Sequence, residues 1–145
     1  MSVLKKSHYP ESVDLEKVGT YPAESFAGGG FVWDEVLEYR VWCHPENGAE
    51  DFYKGADYYY SFATYDEALE FSEKTTGAES PIALILQKEY LEEAIPGDYV
   101  HIQHERITEW PVAFLNRPKR TDKTIPDFLS ADPHGNRLDI LRGNV

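Results

Sequence analysis

The sequence predicts an α+β protein: a mostly antiparallel, twisted sheet of about five strands, one clear helix and short helical turns. Three observations predict it. Apolar and aromatic residues come in short runs bounded by turn residues, which is the pattern of strands. No long helical segments alternate regularly with those runs, which argues against a doubly wound parallel sheet. One strand leads directly into a helix-capping sequence, so a strand and a helix adjoin with no linker between them. The 145 residues are the usual length of one domain, and no boundary shows within them.

Residues 1–30 are rich in Pro, Gly, Ser and Glu and close on Gly28-Gly29-Gly30. They predict an irregular lead-in, with the three glycines as a flexible linker. Residues 36–43 form the first strand, with Tyr39, Val41 and Cys43 on one face and Glu38, Arg40 and Trp42 on the other. The turn-rich stretch 44–51 ends it. Residues 58–63 make an aromatic second strand without Pro or Gly. Thr64-Tyr65-Asp66-Glu67 then reads as a capping box: the Thr64 hydroxyl accepts from the Glu67 amide, and Glu67 reaches back to the Thr64 N–H. Asp66 and Glu67 also suit the positive end of the helix dipole. The helix is expected over 64–75, stopping at Gly77 and turning Ala68, Leu69, Phe71 and Ser72 inward.

The apolar run 81–87 has the pattern of a strand covered on both faces, and it shares the sheet centre with 36–43. Residues 88–94 are expected to form one or two helical turns before Pro96-Gly97. Residues 98–104 form a strand with Val100 and Ile102 inward. A further strand covers 106–115, where Pro111 implies an edge or a bulge. Residues 116–145 read as a tail punctuated by Pro118, Pro126 and Pro133, with a short helix at 127–129.

The net charge of −12 comes from 26 acidic residues against 14 Lys and Arg. That field repels phosphate backbones and anionic lipid, which disfavours general nucleic-acid or membrane binding and favours basic partners. Arg117, Lys119, Arg120 and Lys123 cluster late in the chain and read as a solvated loop. The single cysteine, Cys43, rules out an internal disulfide and fits a reducing compartment. The start MSVLKKSHYPES lacks the apolar stretch of a signal peptide, and the run from Ile82 to Leu86 is far short of a membrane span. The cytoplasm is the expected location.

Several chemistries lack their motifs: there is no GxxxxGK[ST] loop, no strand-GxGxxG-helix, no HExxH and no cysteine pair. His101 and His104 sit three apart in a predicted strand and face opposite sides, so no metal site is expected there. Cys43-His44 has the composition of a thiol nucleophile, but strand neighbours face opposite ways and a buried core cysteine is favoured. An acyltransferase of the GNAT type needs an R/Q-x-x-G-x-G/A loop entering a helix, and the chain carries none.

One order of residues is suggestive. Arg40 lies in a first strand and Tyr60-Ser61-Phe62-Ala63-Thr64 ends a second; a capped helix and an apolar strand follow, then Gln103-His104-Glu105 leads into a strand. Over residues 36–115 this resembles the small ADP-ribosyltransferase-like fold, whose arginine–serine–glutamate branch carries its acid in a Gln/Glu-x-Glu motif. The family's middle motif, usually Ser-Thr-Ser, stands here as Ser61-Phe62-Ala63. The resemblance implies glycosyl transfer from NAD, with no metal. Glu105 or Glu109 would be the catalytic acid opposing an oxocarbenium-like ribose, and Gln103 would lie beside it. It further implies that Arg40 holds phosphate or ribose, that Tyr60 stacks on nicotinamide and that Ser61 steadies the strand.

A second class stays open beside it. Tyr53, Tyr58, Tyr59, Tyr60 and Tyr65 crowd too closely for all to be buried, and exposed aromatic residues in an acidic field make a docking surface for a basic protein.

Overall fold

Short apolar runs pair into sheets when their backbone groups have no helical partner, and seven do so among the described residues. The computed structural model describes residues 9–23, 25–27, 29–130 and 141. In chain order the strands are β1 (Phe26–Ala27), β2 (Glu35–Cys43), β3 (Tyr58–Phe62), β4 (Ile82–Gln87), β5 (Tyr90–Ile95), β6 (Asp98–Ile102) and β7 (Arg106–Pro111). The helices are α1 (Tyr65–Lys74) and α2 (Thr124–Ser130), with 3-10 turns at Leu15–Lys17, Pro45–Asn47 and Val112–Asn116. A five-stranded sheet has the order β1-β7-β4-β2-β3, and β5 and β6 form a separate hairpin. The fold is therefore α+β with mostly antiparallel pairing; β1 on β7 is a short parallel exception. The expected central strands are β2 and β4, neither of which is at an edge.

Contacts divide the chain into two compact units. One comprises the residues up to Ala23 with Val36–Leu84; the other comprises the stretch ending at Glu35 and the residues from Ile85 onward.

In the first unit β2 and β3 pair antiparallel, with Tyr39 opposite Phe62, Arg40 opposite Ser61 and Val41 opposite Tyr60. One face of this pair meets α1: Phe71 packs on Tyr60 and Phe62 with ring centroids 5.0 and 5.3 Å apart. Thr64 caps the helix as expected, its hydroxyl oxygen accepting from Glu67 N at 3.2 Å. The reciprocal bond differs: the Glu67 carboxylate accepts from the Thr64 hydroxyl at 2.9 Å. Of the expected inward residues only Ala68 is fully buried, while Leu69, Phe71 and Ser72 are half-buried. Thr64→Ala should lower stability by about 1 kcal/mol in urea melts, because first-turn N–H groups lose their acceptor.

The helix ends at Lys74, with Thr75 extended, so Gly77 is not its stop signal. Gly77 instead adopts φ +81° with its Cα pressed on Ala49, where a Cβ would lie 2.3 Å from the Ala49 nitrogen. Close backbone approach, rather than helix termination, demands glycine there.

In the second unit the stretch 88–94, expected to be helical, is largely the strand β5. It pairs with β6 from Tyr90 opposite Ile102 to Ile95 opposite Asp98. Hairpin pairing outweighs the helix preference of Glu92, Glu93 and Ala94. Val100 is exposed rather than inward, and the neighbouring Tyr99 supplies the packing, meeting Phe31 and Phe128 at 5.7 and 4.8 Å. The strand expected over 106–115 ends at Pro111, and a 3-10 turn buries Val112 and Leu115.

The described part of the region 116–145 is also more than a punctuated tail. The short helix foreseen at 127–129 is the centre of α2, whose Ile125 and Phe128 are fully buried in a cluster with Val32, Leu91 and Leu141. Pro133 lies outside the described residues. The expected solvated basic loop is largely tied down. Arg120 lies 2.9 Å from Asp34 and 3.0 Å from Glu89, and Lys119 lies 3.0 Å from Glu35. The Arg117 guanidinium sits over the Phe114 ring at 4.7 Å, while Lys123 is exposed.

The lead-in is mostly irregular where it is described, but the glycines that close it are not a loose linker. Gly29 O accepts from Gln87 Nε2 at 3.1 Å and from Trp110 Nε1 at 3.0 Å. Gly30 adopts φ +79°, and a Cβ there would lie 2.4 Å from Gln87 Nε2. Buried Gln87 is the hub: its Nε2 also donates to Val32 O, and its Oε1 accepts from Arg106 Nε and Thr108 Oγ1 at 2.7 and 2.8 Å. Gly28 lies outside the described residues, as do residues 1–8 of the expected leaderless start. No helix among the described residues is long and apolar enough to cross a membrane.

Candidate functional site

Alternation along β2 places Glu38, Arg40 and Trp42 on the face away from α1, and β3 adds Tyr59 and Ser61. The chain between Gly19 and Ala23 supplies backbone groups to this face. Glu38 and Arg40 are both fully buried, and Arg40 Nε donates to Glu38 Oε2 at 2.7 Å. Arg40 Nη2 donates to Pro22 O at 2.6 Å, and the guanidinium lies 4.3 Å from the Tyr59 ring centroid. The Glu38 carboxylate accepts further from Ser61 Oγ at 2.8 Å and from Gly19 N at 2.8 Å. Arg40 and Ser61 are thus brought together through Glu38, inside the fold.

Tyr60 stands on the opposite face of the sheet pair, 43% exposed, against Phe71 and 5.9 Å from the Tyr58 ring. It shares no face with Arg40 or Ser61. In the other unit Gln103 and Glu105 are exposed in the turn between β6 and β7, and Glu109 is half-buried in β7.

The end of β2 carries a second arrangement that sequence patterning did not single out. Cys43 is fully buried, and burial raises its thiol above the ordinary value, as suits a core residue. His44 turns the other way. Its Nδ1 lies 2.8 Å from Asp57 Oδ1 and its Nε2 3.2 Å from Glu79 Oε2. The hydrogen bonds with Asp57 and then Glu79 raise the imidazole above 6.5. His44, Glu46 and Asp57 also bring one ligand atom each within 4.8 Å of the others, so among the described residues this group has spacing that suits a cation. The imidazolium form favoured by the two carboxylates competes with that use, since a ligating histidine must be neutral.

Beside Asp57 the aromatic stretch opens a surface cavity of ≈ 290 Å³, lined by Trp42, Tyr53, Tyr58 and Tyr59 with Ala23 and Ala56. Trp42 and Tyr59 are opposite each other on β2 and β3, their ring centroids 4.8 Å apart and tilted by 48°. Tyr53 meets Tyr58 at 5.7 Å. The phenol hydroxyls are directed to backbone: Tyr58 donates to Glu50 O and Tyr59 to Tyr21 O. Outside the cavity Phe52 continues the aromatic surface, 6.3 Å from Tyr53 and 5.4 Å from Tyr58. Phe52 and Tyr53 are 55% and 61% exposed and adjoin, and contiguous exposed apolar surface is what marks interaction sites. The crowding of tyrosines in the sequence signalled this surface; Phe52, Trp42 and Asp57 carried no local pattern that could have added them.

No protein-family model, curated protein or solved structure matches the chain.

Proposed function

We propose that the chain is a non-catalytic binding module that docks a basic protein segment on the aromatic surface around residues 52–60. The observation that carries this reading is the ring series Phe52, Tyr53, Tyr58 and Tyr60, in which half-buried Tyr58 joins three exposed rings and each centroid lies within 6.3 Å of the next. Such rings provide large contact area at low conformational cost, which is why aromatic residues anchor interfaces. Charge selects the occupant. Residues 36–84 hold ten carboxylates against three Lys and Arg, so the field around the rings attracts lysine- and arginine-rich chain and repels acidic chain. The burial of Arg40 supports this reading over NAD chemistry, because its guanidinium already meets Glu38 and Pro22 rather than an open cleft.

Fluorescence anisotropy with a labelled lysine- and arginine-rich peptide tests the proposal. Binding should weaken as salt rises, and the double variant Phe52→Ser with Tyr60→Ser should weaken it roughly tenfold or more, the usual effect of losing interface anchors. A peptide that fails to bind, alongside a melting temperature raised by NAD, would overturn this reading in favour of ADP-ribosyl transfer using Glu105 or Glu109.

A further inference from the structure

We infer that the cavity between Trp42, Tyr53, Tyr58 and Tyr59 is a recognition site for a methylated ammonium group. The inference rests on the preceding reading, since that group would be carried on a lysine of the docked basic segment. Four aromatic residues line the cavity, and aromatic faces attract cations through the negative side of their quadrupole. Asp57, also in the cavity wall, adds a formal negative charge at its rim. The volume of ≈ 290 Å³ is at the small end of ligand sites, which begin at about 300 Å³, and it suits a head group rather than an entire cofactor.

Methylation is chosen by what the cavity lacks. A primary ammonium brings three N–H donors and a tight hydration shell, and each donor needs an acceptor when water is removed. The wall offers mostly apolar ring surface: the Tyr58 and Tyr59 hydroxyls are turned away to Glu50 O and Tyr21 O, and Asp57 Oδ1 faces His44 at 2.8 Å. A trimethylated ammonium has no donors, sheds water more easily and keeps its charge, so it gains the aromatic attraction without stranding an N–H.

Titration of the full chain, followed by calorimetry and by the indole resonances, tests the inference with four probes. These are tetramethylammonium alone and one lysine-rich peptide with its central lysine unmodified, trimethylated, or replaced by the neutral tert-butyl isostere. The trimethylated peptide should bind roughly tenfold tighter than the unmodified one, and the neutral isostere should lose that gain. Tyr53→Leu, at an exposed ring, should abolish the preference without lowering the melting temperature. Binding of tetramethylammonium alone, with perturbation of one indole, also supports the site independently of any peptide. Equal affinity for all three peptides would sink the cavity assignment and leave the docking surface standing. Tetramethylammonium binding without any peptide binding would keep the cavity and sink the docking surface.

Discussion

Arg40→Ala is expected to destabilise the protein by about 3–5 kcal/mol, because it leaves the Glu38 carboxylate buried without its cation. Both side chains are fully buried, so water cannot take over from the guanidinium at its native position. Ser61 Oγ and Gly19 N would remain as donors to Glu38, and two neutral donors do not offset a buried charge. Urea unfolding of the variant gives the number directly. The double change Glu38→Leu with Arg40→Met should cost less than the single alanine, since it removes both charges while keeping volume. A single-variant loss below about 1 kcal/mol would show that solvent reaches Glu38 and that the pair is not a structural clamp.

Phe128→Ala should cost a similar amount, about 3–5 kcal/mol, through lost burial and the cavity it leaves. The ring is fully buried, meets Tyr99 edge-on at 4.8 Å and lies 6.5 Å from the Phe31 centroid. The same urea experiment measures it. An effect within a few tenths of a kcal/mol would mean that the Phe128 ring contributes nothing to the core.

These two residues also show where sequence reading stops. The alternation in 36–43, the aromatic run at 58–63 and the Thr64–Glu67 cap are local signals, and β2, β3 and α1 appear within about two residues of where those signals put them. Local pattern also set Glu38 and Arg40 on the polar side of β2. It could not show that Gly19, Pro22 and Ala23 bring backbone donors and acceptors to that side and bury both charges. Phe128 shares its cluster with nearby Ile125 and Leu129, but the partners that bury it come from positions 31, 32, 91 and 99, which local pattern cannot connect to it. The stretch 88–94 failed for a related reason, because helix-favouring Glu92 and Glu93 give no hint of the partner strand that starts at Asp98. At the candidate site the tyrosine crowding foretold an exposed aromatic surface, whereas the cavity needed Trp42 and Asp57, which reach it from β2 and from the loop before β3. Arg40, Ser61 and Tyr60 were legible as a strand pair, and alternation alone sets Tyr60 on the face opposite Ser61; what was not legible is that Glu38 binds Arg40 and Ser61 into one buried clamp.

The Gln87 amide has a consequence for how this sequence can drift. Its oxygen uses both lone pairs, on Arg106 and Thr108, and its nitrogen uses both hydrogens, on the carbonyls of Gly29 and Val32. Even the isosteric Gln87→Glu would set an oxygen against two carbonyl oxygens, and any side chain at Gly30 would enter the same space. Two stretches far from Gln87 in sequence, 29–32 and 106–108, therefore depend on one functional group, and a change in either alters what the other can accept. Substitutions at these positions are epistatic by construction: a neutral path away from glutamine requires compensating replacements, and a segment exchanged with a divergent copy of the gene would succeed only if it carried its matching partners.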